Sequence, residues 1–447
     1  MSDSTAARAI DTLRNVFATN SLRDRLARGV LWSFVGGGVS QGSILAASVI
    51  TARLLGKERF GEFGVIQSTA GMFGIFAGLG LGLTATKYVA EFRSTDPERA
   101  GRIIGLSLMT SMITGAIAST VLFFLAPFLA EHTLSAAHLA LELRITTCLL
   151  LLNALYGAQT GTLSGFEAFK TIAHLNLWRG VFTLPIAVAT VLLWHLPGAV
   201  WGLVAAAAAG CALNHFAIRR VSAAAAVPLL YKGAWSERAV LWVFSVPAFI
   251  CGVVVGSVGW VANTILVNHH NGYAEMGVFT AVYQWLLAIS FVPIVLGRAL
   301  LPILSSLWGS AEHKRMRRAL AASALGCAAF AIPGAAIVIA LSGRIMSWYG
   351  PAFIGRQRAL VLTTLAAAVA AVQSPLTTLI SSSGRMWLGA AANLGWAVVL
   401  LGATWALVRA DWGADGLATA YLVAYCVHGT WAFWLAARIL DSPTKLT

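Results

Sequence analysis

Acidic residues are scarce in this chain. Asp and Glu number 17 among 447 residues, Lys and Arg 31, and charged residues of both signs make up 11%, against about a quarter in an ordinary soluble domain. No Asp or Glu falls in the middle of an apolar run; the deepest, Glu62, Glu142 and Glu275, stand near the ends of runs. A cation-coupled drug exporter needs a buried carboxylate to trade protons or sodium for its cargo, so this scarcity argues against that chemistry. Cysteine is equally sparse. Cys148, Cys211, Cys251, Cys327 and Cys426 lie singly inside apolar runs, in a spacing that makes neither a disulfide framework nor a metal site. His269 and His270 are adjacent but have no further ligands nearby in sequence, and His174, His215 and His428 are scattered, which suits packing or interfacial roles. No cofactor is expected. Long polar stretches are missing too, so there is no room for an extramembrane catalytic domain.

What fills the chain instead is apolar: 58% of residues are hydrophobic. Runs of about 20 such residues, each enough to cross a bilayer as a helix, recur almost to the C-terminus. Twelve spans are predicted at about 29–54, 62–84, 101–128, 142–164, 171–194, 199–218, 239–267, 276–303, 318–342, 358–382, 387–409 and 414–437. The expected fold is an all-α integral membrane protein. Before the spans, residues 1–28 carry Arg8, Arg14, Arg23, Arg25 and Arg28 without an apolar stretch or a small-residue cleavage site, so they do not read as a secretory signal. Ile10, Leu13 and Phe17 have the spacing of an interfacial helix, and a disordered tail fits equally.

The formal charge of +14 is a topology signal rather than a nucleic-acid footprint. With the N-terminus in the cytosol, 21 Lys and Arg fall on the cytosolic side and 8 on the other, an asymmetry that orients the chain with both termini inside. Anionic lipid headgroups are the natural partners of those loops, and no nucleic acid is expected.

The chain repeats itself. "RGVLWSF" at Arg28 to Phe34 returns as "RAVLWVF" at Arg238 to Phe244; "FGEFGV" from Phe60 returns as "YAEMGV" from Tyr273; "NLW" from Asn176 as "NLGW" from Asn393; "GAVWGLVAA" from Gly198 as "GADGLATA" from Gly413. Order and offset are kept, so the second half is a copy of the first. Six spans per copy give both halves the same orientation, and parallel repeats of this kind leave a cleft between two lobes. The division expected is a cytosolic segment 1–28, a six-helix lobe 29–220, a linker 221–238, a second lobe 239–440 and a tail 441–447. Pro185, Pro247, Pro293, Pro333 and Pro375 fall within spans and are expected to kink them.

Polar groups at membrane depth are costly and therefore mark function by default. Arg179 lies about eight residues into the fifth span, with Asn176 and Thr183 on the same helical face, and Arg298 lies near the cytosolic end of the eighth. A planar, permanently charged guanidinium suits a diphosphate. Arg53, at the far end of the first span, could hold the same group later in a cycle. Gln41, Gln67, Asn263 and Gln284 add uncharged hydrogen-bonding groups of the kind that read sugars, although helix-to-helix bonds and snorkelling use the same residue types.

The residues also carry a family likeness. "TARLLGKERFGEFGVIQS" from Thr51 and "FAGLGLGLTATKYVAEFRSTDPERAGRIIG" from Phe76 resemble the N-terminal region of bacterial polysaccharide flippases, in the multidrug/oligosaccharidyl-lipid/polysaccharide exporter superfamily, and "GTLSGFEAFK" from Gly161 extends the resemblance to the fourth span. The resemblance implies transfer of an undecaprenyl-diphosphate-linked oligosaccharide across the inner membrane in O-antigen or exopolysaccharide synthesis, by alternating access of a V-shaped, two-lobed carrier, in company with other polysaccharide-assembly proteins. A multidrug or small-solute antiporter of the same architecture is the alternative; a membrane glycan polymerase or ligase is the alternative of another class.

Overall fold

In the computed structural model, residues 22–309, 313–383 and 386–441 are described. Most of the segment 1–28 lies outside them, as does the tail from 442. The described residues form helices throughout: α1 Leu22–Gly78, α2 Leu81–Phe92, α3 Pro97–Phe128, α4 Ala140–Gly165, α5 Phe169–Ala224, α6 Val246–Val267, α7 Gly272–Gly309, α8 His313–Ala340, α9 Ser342–Trp348, α10 Gln357–Ser382, α11 Met386–Arg409 and α12 Gly413–Asp441. Among the described residues nine helices are long and apolar enough to cross a membrane, and α6 adds a shorter apolar stretch, Gly256–Val267. Two of the nine are bent pairs. α1 breaks at Gly56 (φ 76°, ψ 171°) and α5 at His195 (φ 51°, ψ −124°), so each crosses twice. Twelve crossings result, one for each apolar run. The face that carries Leu22 and Asp441 is called the inner face below.

Local chemistry accounts for the boundaries. Asp96 caps α3 by accepting the Arg99 N–H at 2.9 Å, Pro97 opens the helix and Glu98 sits in its positively charged first turn. The second apolar run is cut where Leu79 and Gly80 both turn to positive φ, so the run predicted at 62–84 ends at Gly78 and the chain continues inward as α2. The prolines within α3, α8 and α10 interrupt no helical dihedrals, in α5 the residue that leaves the helical region is His195 and not a proline, and Pro247 opens α6. Full breaks come from Gly56 and His195.

Packing repeats between the halves. α3 on α4 is matched by α8 on α10, α4 on α5 by α10 on α12, and α1 on α5 by α6 on α11. This is the two-repeat architecture of twelve crossings. Between the repeats, α1 packs on α6 and α7. α5 extends to Ala224, so the linker proper is 225–240, and it lies on α3: a β-carbon at Gly101 or Gly105 would collide with the Pro228 or Leu230 carbonyl.

Candidate functional site

Arg179 sits in the first limb of α5, where glycines draw the helices together. Gly36 of α1 meets the Ala173 backbone, and Gly180 faces Ser40 and Ser43. Gln41 and Asn176 therefore belong to neighbouring stretches of one contact, both half-buried. Arg179 itself turns toward α4 and the second limb of α5: its guanidinium lies 4.6 Å from the centroid of the Tyr156 ring, and its Cδ passes Gly210. Among the described residues it has no ion pair. Magnitudes make this arrangement informative. A charge at the centre of a bilayer costs roughly 2.5–3.5 kcal/mol on insertion scales, whereas one cation–π contact returns about 0.5–2 kcal/mol. Folding alone does not balance that cost; an anion would.

The remaining predicted residues are spread along the boundary between the repeats. Asn263 of α6 donates to Ser68 Oγ at 2.8 Å, and one turn away Trp260 donates to Thr69 Oγ1 at 3.0 Å. Gln67, half-buried, adjoins Ser68 on the second limb of α1. Gln284 is half-buried on α7 between Tyr283 and Trp285, whose indole donates to Tyr349 Oη at 3.1 Å. Arg298 lies on α7 next to Gly297, whose α-carbon faces Thr378 and Ser374 of α10; the Arg298 side chain is outside the described residues. Arg53 is exposed at the outer end of the first limb of α1, beside Gly350, about 18 Å along the helix from Gln41. The structure thus groups Gln41, Asn176 and Arg179 in one half of the molecule. Gln67 and Asn263 lie on the seam, and Arg53 stands apart.

On the outer side the seam is closed. β-Carbons at Gly61 and Gly277 would strike the carbonyls of Tyr273 and Lys57. Tyr273 Oη donates to the Leu134 carbonyl at 2.6 Å, Asn268 Nδ2 to the Thr133 carbonyl at 2.7 Å, and Ser135 Oγ to Asn268 Oδ1 at 2.6 Å.

The family described as "Polysaccharide biosynthesis protein" matches residues 26–308. The chain belongs to that family. Two curated relatives share its length: the EPS I polysaccharide export inner membrane proteins of Ralstonia nicotianae, 25% identical over 87% of this chain and 88% of the relative, and of Ralstonia solanacearum, 24% identical over the same shares. Among solved structures, a multidrug resistance MATE family transporter of the MOP superfamily superposes in its inward-facing conformation with a TM-score of 0.76, at 12% identity over 91% of this chain and 96% of that one. The outward-facing conformation of such a transporter gives 0.72, at 13% identity over 95% and 97%. The fold is that of MOP-superfamily transporters.

In this polysaccharide biosynthesis protein, two features were not legible beforehand. The first is an outer cavity of about 550 Å³ lined by His269, Glu275, Arg356, Arg358, Asp411 and Asp415 among others. Glu275 stands in the first turn of α7, where its own helix explains an acid, yet its Oε2 accepts the Ala414 N–H at the start of α12 and pairs with Arg356. It ties the outer ends of α7, α10 and α12 together. Its counterpart in the repeat, Glu62, meets His138 Nε2 at 2.7 Å. The second feature is His428, which is buried with Gln373 and has no sequence neighbour to announce it.

Proposed function

We propose that this protein is a flippase that moves an undecaprenyl-diphosphate-linked oligosaccharide from the cytosolic to the outer leaflet of the bacterial inner membrane, both termini cytosolic, by alternating access between its two repeats. The observation that carries the reading is Arg179, a permanent cation within a membrane span that no described carboxylate neutralises, in a chain whose relatives are named polysaccharide export proteins. Diphosphate is a dianion with planar oxygen pairs that a guanidinium grips by two parallel bonds. Arg298 and Arg53 are assigned the same ligand at other stages, and Gln41, Gln67, Asn176, Asn263 and Gln284 the sugars. The polyprenyl tail stays in lipid. Basic inner loops bind anionic headgroups, and other polysaccharide-assembly proteins receive the product.

The test is genetic and chemical together. Arg179→Ala combined with Arg298→Ala is expected to abolish surface glycan at unchanged membrane abundance, with lipid-linked units accumulating on the cytosolic leaflet. Normal surface glycan in the double variant rejects the arginine mechanism. Accumulation on the outer leaflet in a deletion strain favours a polymerase or ligase instead, and drug sensitivity with normal glycan favours an antiporter.

A further inference from the structure

Apart from tyrosines and cysteines, Glu142 and His428 are the only ionisable side chains buried among the described residues. Glu142 stands in the first turn of α4, at the outer face. His428 is different. It lies fifteen residues into α12, about 22 Å from the outer end of the helix and about 15 Å from Arg438 toward the inner end. No other described histidine is buried: His132, His138, His269 and His270 belong to the outer loops, His195 to the outer turn, His174 to the inner start of α5, and His215, about 14 Å from the inner end of α5, is only half-buried.

The surroundings of His428 are built. Its Nδ1 lies 3.3 Å from Oε1 of Gln373 on α10, so in this arrangement Nδ1–H donates to the amide oxygen and Nε2 keeps its lone pair. The next residue is Gly429, where a β-carbon would sit 2.8 Å from the same Oε1. A glycine at this point lets the two helices approach until the amide reaches the ring. Toward the outer face, Tyr425 and Tyr421 occupy the same side of α12 one and two turns away, with ring centroids 6.2 Å apart, and Tyr283 of α7 lies 5.9 Å from Tyr421. Hydroxyl-bearing rings thus line the helix between His428 and the outer cavity that holds Asp415.

Other charges on the packed elements are distant. α10 carries only Arg358 and α11 only Arg409, both at their outer ends, and α6 carries only Cys251, whose side chain is outside the described residues. α7 contributes Glu275 and Tyr273 at its outer end, Tyr283 midway, and Arg298, whose side chain is likewise outside them. α12 itself adds Asp415, Cys426, Arg438, stacked on Trp434, and at its inner end Asp441, whose side chain is outside the described residues. No described carboxylate stands ready to neutralise an imidazolium at this depth, so charging the ring here is expensive while the bundle is closed to water.

We propose that His428, oriented by Gln373, is a proton-binding site that couples transport to the transmembrane pH gradient. When water reaches the ring from the outer side, Nε2 accepts a proton; resealing makes the charge unfavourable, and opening to the inner side lets water carry the proton to the cytosol. One proton then enters for each substrate sent out, and a gradient of one pH unit shifts the substrate distribution about tenfold. Gln373 keeps its hydrogen bond in both states because Nδ1 carries hydrogen in both. This inference rests on the carrier reading above and supplies the driving ion that a chain poor in buried acids otherwise lacks.

The decisive variant is His428→Gln, which retains hydrogen-bonding groups but cannot bind a proton near neutral pH. Protein would be reconstituted in vesicles of phosphatidylethanolamine and phosphatidylglycerol with a fluorescent polyprenyl-diphosphate disaccharide as probe. For the wild type, a gradient acidic on the outer side is expected to raise the steady-state ratio of probe between the two leaflets about tenfold per pH unit. His428→Gln is expected to give the undriven distribution with or without the gradient, and a variant that still responds like the wild type overturns the proposal. Nitrogen NMR of labelled histidine in nanodiscs separates this outcome from a wrong substrate. If the wild type moves no probe at all, the carrier reading fails; the proton site still stands when the signal missing from His428→Gln titrates between about pH 5 and 8. It falls when that signal stays neutral throughout.

Discussion

At the scale of single residues, His195 shows how much a crossing depends on one turn. It links the two limbs of α5 at φ 51° and ψ −124°, a region where a β-carbon crowds the backbone and glycine is at ease. Strain of this kind costs about 1–3 kcal/mol in a residue other than glycine. The His195 side chain is exposed, and Leu196, buried, and Pro197 immediately start the next limb. Little packing is therefore lost with the ring, and His195→Gly is expected to raise the thermal midpoint in detergent by roughly 1 °C for each kcal/mol released. Intrinsic fluorescence on heating reads the shift. A lowered midpoint would mean that contacts of the imidazole outweigh the strain. Arg179 is the opposite kind of residue, one whose cost is not repaid by its visible partners, which is why its substitution is expected to affect transport rather than folding.

At the scale of elements, the linker between the repeats behaves as a strap and not as a tether. Leu230 N donates to the Gly101 carbonyl at 3.4 Å, and Glu237 accepts from Arg99 Nε at 3.1 Å and from Arg102 Nε at 3.3 Å. The two arginines are partly exposed, so screening keeps the ion pairs modest. The close approach at Gly101 and Gly105 does more to set the position, because any side chain there would push the strand of linker away. Gly101→Val is expected to undock it. In inside-out vesicles, trypsin would then cleave after Lys232 and Arg238 several-fold faster than in the wild type; unchanged cleavage would show that the Glu237 pairs suffice. Elements such as α3 were legible because their signals are local: Asp96, Pro97 and Glu98 in succession, then an apolar run of sufficient length. The cut at Leu79 and Gly80 was not, since a run rich in glycine and leucine reads as uninterrupted until backbone dihedrals are known. Partnerships were less legible still. Gln373 lies 55 positions before His428, Tyr156 and Gly210 lie on opposite sides of Arg179 in sequence, and the amide that Glu275 caps belongs to a helix beginning at Gly413. A one-dimensional pattern shows which residues are out of place in lipid; only the packing of helices shows what they meet.

At the scale of the whole molecule, the duplication becomes a contact. "FGEFGV" and "YAEMGV" occupy equivalent places in the two copies, and in the folded chain they lie against each other, with Gly61 on Tyr273 and Gly277 on Lys57. Small residues let these backbones touch without a tight side-chain interlock, so the two halves can part here at little cost in apolar packing. Beyond them the outer closure rests on the hydrogen bonds from Tyr273, Asn268 and Ser135. Each such bond contributes about 0.5–1.5 kcal/mol net, a total that a bound substrate can overcome. On the alternating-access reading proposed above, this set is broken once per cycle. Ser135 and Asn268 are both exposed, on opposite sides of the seam, with side-chain oxygens 2.6 Å apart. Ser135→Cys with Asn268→Cys, joined by a short methanethiosulfonate cross-linker, is therefore expected to stop transport, and reduction is expected to restore it. Because the native Cys148 and Cys426 are themselves exposed, the pair is introduced with both replaced by Ala. If the cross-linked protein moves substrate at the rate of the reduced one, the outer seam is not the gate, and the two halves must open elsewhere.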